Sequence, residues 1–253
     1  MNAAPTTATL LQQGLFHHRR GELALAMERY VEVLQADPAN ADALYYVAVV
    51  ACEDGQYQQG VDLAKRAIDV GKPQARVHNL MGQAYDRLRQ PLEAIKAYDA
   101  AIALDPNFAA AHGSRASILA DTGFPNEALK AYDRALELNA NSGTDWLNRG
   151  TLLTDMGRFA DAVASCNRAL ALAPDLPEAN AAHGVALMSL GRYDDALVAL
   201  DRALKLDPAM VGVHKARAAT LIALKRNDEA KVSYDRAAEI EAAAKAQPGP
   251  TTN

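Results

Sequence analysis

The chain has little of what builds an aromatic core or a disulfide framework. Only 6% of its 253 residues are aromatic, with one tryptophan, and there are two cysteines, Cys52 and Cys166. Two cysteines in a chain this long form no stapled scaffold. No uninterrupted apolar stretch is long enough to cross a bilayer. The opening MNAAPTTATLLQQGLF has no basic segment followed by a long apolar run, so neither secretion nor membrane insertion is expected. The net charge of −5 is spread over both signs with no basic stripe, which excludes a nucleic-acid binder. No Gly-rich phosphate loop and no nucleophile motif is present. What the chain does have is alanine and an apolar half (50%), the composition of closely packed helices.

The stretch Thr144–Pro174 shows the organising pattern. Trp146, Arg149, Gly150 and Leu153 are spaced i, i+3, i+4, i+7, and Ala162, Cys166 and Ala169 follow at i, i+4, i+7. Each set is one face of a helix. Gly157 lies between them and Pro174 falls where the second helix must stop. Shifting the sequence by 34 residues aligns like with like. The position of Gly150 reads Gly14, Ala48, Gly82, Ala116, Gly150, Gly184, Ala218, and that of Ala162 reads Ala26, Gly60, Ala94, Ala128, Ala162, Ala196, Ala230. The larger position reads Tyr30, Ala64, Tyr98, Tyr132, Cys166, Leu200, Tyr234. Small residues recur where two helix backbones approach, and a larger one fills the space beside them.

A 34-residue helix-turn-helix period with small, large and proline positions in this order (Pro38, Pro106, Pro174, Pro208) resembles the tetratricopeptide repeat (TPR). The resemblance implies an all-α, right-handed superhelical solenoid of seven repeats. On this register the repeats are 7–40, 41–74, 75–108, 109–142, 143–176, 177–210 and 211–244, with a disordered leader over 1–6 and a disordered tail over 245–253. Cys52 and Cys166 fall three repeats apart and are expected as reduced thiols, consistent with a cytoplasmic setting. Lys225 stands where most units place glycine between their helices.

Arg115, Arg149 and Arg217 share one position on the apolar stripe, and an unpaired charge there is costly. One position in the preceding repeat follows them: Asp99 precedes Arg115, Asp133 precedes Arg149, and Asp201 precedes Arg217. Where the arginine is missing so is the aspartate, as in Val31 with Val47, Lys65 with Met81, and Asn167 with His183. Three structural Asp–Arg pairs between repeats are therefore expected.

In the family resembled, first helices line a concave groove that holds a peptide. Carried onto this chain, the groove residues are Arg19, Tyr45, Tyr46, Asn79, Gln83, Arg87, Asn148 and Met188, with Tyr45 and Tyr46 as the anchoring pair. The family's clamp for a C-terminal carboxylate is absent in every frame; its positions read Leu11, Leu15, Tyr46, Arg76 and Leu80 at the start of the chain. His78, His112 and His214 share one repeat position and are too far apart to ligate one metal, so they read as packing residues. No cofactor, no metal and no catalytic residue is expected. The expected role is a non-enzymatic adaptor that binds a peptide segment of a protein partner. Two alternatives stand beside it. The opening segment resembles the repeat regions of bacterial O-linked N-acetylglucosamine transferase-like proteins, which implies a substrate-recognition region or a stand-alone relative without a catalytic domain. The other is a scaffold that self-assembles through its C-terminal end face.

Overall fold

The computed structural model describes residues 5–72 and 74–246. Fourteen helices make up the described residues, with no strand among them. They are α1 Thr7–Arg19, α2 Leu23–Ala36, α3 Ala41–Glu53, α4 Tyr57–Val70, α5 Ala75–Arg87, α6 Pro91–Leu104 and α7 Ala109–Asp121, followed by α8 Pro125–Leu138, α9 Gly143–Asp155, α10 Phe159–Leu172, α11 Pro177–Ser189, α12 Tyr193–Leu206, α13 Val211–Ala223 and α14 Asn227–Ala246. The odd-numbered helices begin 34 residues apart and each packs on the even-numbered helix that follows it. The fold is an all-α, solenoid-like array of helix pairs. It divides into two compact units, Met1–Leu138 with α1–α8 and Asn139–Asn253 with α9–α14.

Local chemistry sets the helix ends. Thr6, Asn40 and Ser142 accept hydrogen bonds from the backbone N–H three residues on, capping α1, α3 and α9. Pro91 and Pro125 open α6 and α8, where a missing N–H had no helical partner to lose. Asp105 and Asp207 close α6 and α12, and their carboxylates accept from Asn107 and Ala209 N–H at 3.0 and 2.9 Å. The Asp-Pro pairs are thus helix stops that carry their own turn.

Between the helices of a pair, Gly21, Gly55, Gly123, Gly157 and Gly191 adopt positive φ. Arg89 and Lys225 hold the same conformation at φ 58° and 61°. Within the pairs, the small-against-large rule has a steric basis. A Cβ on Gly82 would lie 2.6 Å from the Tyr98 ring, and one on Gly184 would lie 2.7 Å from Leu200 Cγ. Tyr30, Tyr98, Leu200 and Cys166 are buried in these positions.

The leader is expected over 1–6 and the tail over 245–253; of these, 1–4 and 247–253 lie outside the described residues. At the margins the boundaries differ from those read in the sequence. Thr6 is ordered as a cap, and Lys245 belongs to α14, which extends to Ala246 because the segment Glu239–Ala246 is rich in strong helix formers.

Candidate functional site

In the first unit, α1, α2, α3 and α5 carry a continuous set of aromatic and charged contacts. Tyr46 stacks on buried Tyr30 at 5.3 Å between centroids and 18° between planes, and Tyr45 meets Tyr46 edge-on at 5.0 Å. The guanidinium of Arg76, from α5, lies 4.5 Å from the Tyr45 centroid and 5.5 Å from that of Tyr46. Arg76 donates to Tyr46 Oη at 3.1 Å, to Gln74 Oε1 at 2.7 Å, and to the Asp42 carboxylate. At the other end of the cluster His18 Nε2 lies 3.1 Å from Glu53 Oε2, and its Nδ1 lies 3.4 Å from Tyr30 Oη. Burial raises the Tyr45 phenol above its ordinary range and that of Tyr30 to about 12, so both stay protonated.

These contacts fix where the expected anchors lie. Tyr45 and Tyr46 are half-buried, Tyr45 packing on the core that includes Leu44, Val77 and Met81, and Arg76 covers both rings. Each ring keeps part of its surface open, with Arg76 covering the rest. Arg19, Gln83 and Arg87 are exposed, whereas Asn79 is only 9% exposed. Asn79 occupies the repeat position that holds half-buried Tyr45 one repeat earlier, and lies at the floor of the helix surface rather than standing out from it. Its Oδ1 is buried and has no hydrogen-bond partner. Arg76, Asn79, Gln83 and Arg87 fall three or four residues apart and form one polar stripe along α5.

In the second unit Asn148 and Met188 are both half-buried. Trp146, on the stripe read as core, is also only half-buried. Its indole N–H donates to Ala140 O at 2.9 Å, and Arg149 and Arg168 lie over its ring at 5.9 and 5.6 Å.

The Asp–Arg pairs have a definite geometry. Arg115 Nε lies 2.6 Å from Asp99 Oδ1, and Arg217 Nε lies 2.5 Å from Asp201 Oδ1. Arg217 also donates to Ser233 Oγ at 2.6 Å, as Arg149 does to Ser165 Oγ at 2.7 Å. The arginines are mostly covered, with side chains 28% and 22% exposed for Arg115 and Arg217, while their aspartates are about half exposed (51% and 50%). The carboxylates thus face water at the rim of each joint. The third pair, Asp133 with Arg149, would join one unit to the other and stays an expectation.

The histidine position has a role that packing alone does not describe. His112 Nε2 contacts Pro106 O at 3.1 Å and His214 Nε2 contacts Pro208 O at 3.0 Å. Trp146 and Asn180 hold the same position and donate to Ala140 O and Pro174 O. Each ties the start of a first helix to the carbonyl six residues before it. Among the described residues no cluster of metal-ligating side chains occurs, and no helix is long and apolar enough to cross a membrane. Burial raises the Cys166 thiol to about 11 and also raises that of Cys52, so neither is an activated nucleophile.

Comparisons with known proteins agree with this architecture. Tetratricopeptide repeat families match residues 75–108, 115–177, and, for one family, 17–84, 153–205 and 187–247, the last set alone covering more than half of the chain. No curated protein matches, and nothing found links the chain to a glycosyltransferase. Among solved structures, PilF of Pseudomonas aeruginosa is similar over 84% of this chain and 96% of its own, with 19% identity and a TM-score of 0.76. MamA of Desulfovibrio magneticus RS-1 is similar over 67% and 96%, with 20% identity and a TM-score of 0.63. YrrB, described as a TPR protein with an unusual peptide-binding site, is similar over 74% and 92%, with 21% identity and a TM-score of 0.57. At these identities the likeness is one of fold. With the helix pairs, their 34-residue spacing and the family matches in agreement, this chain belongs to the tetratricopeptide repeat family.

Proposed function

We propose that this protein is a non-enzymatic adaptor that holds an extended peptide segment of a protein partner along the first helices of its first unit. The observation that carries the reading is the polar stripe of α5, in which Asn79 keeps a buried carbonyl oxygen without a donor. An unmet buried acceptor costs about 1–3 kcal/mol. A peptide backbone laid on the stripe would meet exposed Gln83 and Arg87, and a turn of the Asn79 side chain would bring its oxygen to a backbone N–H. The aromatic wall of Tyr45 and Tyr46, fixed by Arg76, gives that stripe a rigid border. A rigid border lowers the ordering cost of binding. YrrB, of similar fold, is described as peptide-binding, which supports the same use here. Both cysteines are free, in keeping with a reducing compartment such as the cytoplasm.

The test is selection from a displayed library of random peptides on the intact chain. The wild type should enrich a family of sequences, and an Asn79→Leu/Gln83→Ala variant with unchanged helical circular dichroism should not. Equal enrichment on both, or none on the wild type, would contradict the reading.

A further inference from the structure

Every first helix of the first unit ends on a charge, and the sign alternates. The last residues of α1, α3, α5 and α7 are Arg19, Glu53, Arg87 and Asp121, which share one repeat position 34 residues apart. All four are exposed. In the second unit the first helices end on Asp155, Ser189 and Ala223, without the alternation. Helix stability does not account for the acids. The C-terminal end of a helix carries a partial negative charge, which suits Arg19 and Arg87 and opposes Glu53 and Asp121. Pairing within the row does not account for them either. Arg19, Arg87 and Asp121 form no ion pair among the described residues, and Glu53 pairs with His18 rather than with an arginine of the row, its side chain still 44% exposed. Packed helices lie roughly 8–10 Å apart, about one Debye length in physiological salt, so attraction along an exposed row is largely screened. The position one residue earlier, His18, Cys52, Asp86 and Ala120, has no such order.

We infer that this row reads charge on the bound segment, and that the partner's segment carries acidic and basic residues in alternation at every third position, acid-x-x-base-x-x-acid-x-x-base. Charge complementarity sets the order: acids of the segment meet Arg19 and Arg87, and bases meet Glu53 and Asp121. Backbone geometry sets the spacing. A polyproline II chain turns once in three residues and rises about 3.1 Å per residue, so residues three apart share a side and lie about 9 Å from each other, which matches the helix spacing. The row crosses the α5 stripe at Arg87. The inference therefore rests on the peptide-binding reading and adds to it which segments are taken.

The probes are displayed peptide libraries offered to the full-length chain, with charges fixed at every third position and the remaining positions random. One carries the alternating frame Glu-x-x-Lys-x-x-Glu-x-x-Lys, and the other the segregated frame Glu-x-x-Glu-x-x-Lys-x-x-Lys. At low salt the wild type should enrich the alternating frame about threefold or more over the segregated one, the scale of two exposed ion pairs gained, and the preference should fade as salt is raised. In the Arg19→Glu/Arg87→Glu chain the whole row is acidic. That chain should lose the preference and enrich a third frame, Lys-x-x-Lys-x-x-Lys-x-x-Lys, instead. Both exchanged residues are exposed, and helical circular dichroism checks that the fold is kept. Equal enrichment of the alternating and segregated frames on the wild type, or an unchanged preference in the Arg19→Glu/Arg87→Glu chain, would overturn the inference and leave the peptide-binding reading standing. Enrichment of no peptide from these frames or from a fully random library would overturn both.

Discussion

Arg217 bridges two helices with a single side chain: its Nε donates to Asp201 on α12 at 2.5 Å and its Nη1 to Ser233 on α14 at 2.6 Å. Ser233 is buried and also donates to Glu229 O, whereas Asp201 is half exposed. The ion pair is thus partly screened, and its value lies in the register it sets between α12 and α13. Arg217→Ala should lower stability by about 1 kcal/mol. In a double-mutant cycle with Asp201→Ala the coupling should be under about 1 kcal/mol and should shrink in high salt, as read by urea unfolding.

Lys225 and Arg89 sit in the left-handed conformation that five glycines hold at the same kind of turn. Only glycine adopts it without a Cβ penalty. Lys225→Gly and Arg89→Gly should each raise unfolding free energy by about 1 kcal/mol, less whatever the unfolded chain gains in freedom. The check is the urea midpoint of each variant.

Gly184 backs onto Leu200, and an added Cβ would lie 2.7 Å from Leu200 Cγ and 3.2 Å from Ala196 O. Gly184→Ala should cost about 1–3 kcal/mol through overpacking. The double variant Gly184→Ala/Leu200→Ala recreates the Ala48–Ala64 pairing of the second repeat. It should cost less than the sum of the two single changes, measured by thermal unfolding.

The repeat register and its small and large positions were legible in the sequence because they follow from backbone approach, which tolerates only a few side chains. The Asp–Arg positions were legible for a related reason: charge on a packing stripe demands a partner, and the two vary together. Exposure was not legible, since Asp99 and Asp201 sit at the rim of the joint rather than within it. The fate of Tyr45 and Tyr46 was hidden because the residue that covers them, Arg76, comes from the next helix pair. The tie made by His112, Trp146, Asn180 and His214 was missed because three different side chains share only an N–H donor. Aligning that position by donor rather than by size would have found it.

His183 is half-buried, and burial, followed by the Arg192 charge, lowers its pKa below the ordinary 6.5. The folded chain therefore resists the proton that the unfolded chain accepts. The stability held by the neutral imidazole is complete above pH 6.5 and is lost as pH falls from 6.5 through the lowered value. Urea midpoints at pH 7.5 and 5.0 should differ less in a His183→Gln variant than in the wild type.

Asn79 is the residue on which the peptide-binding account turns. An unmet buried acceptor predicts that Asn79→Leu stabilises the free chain by about 1–2 kcal/mol while weakening ligand. The most direct measurement is an N-methyl scan of a peptide selected on the wild-type chain, in which each backbone N–H is removed in turn and affinity is read by calorimetry. One methylation should weaken binding about tenfold on the wild type and have little effect on the Asn79→Leu chain. If every methylated peptide binds equally, or if the same loss appears on both chains, Asn79 does not receive the peptide and the α5 stripe is not the binding surface.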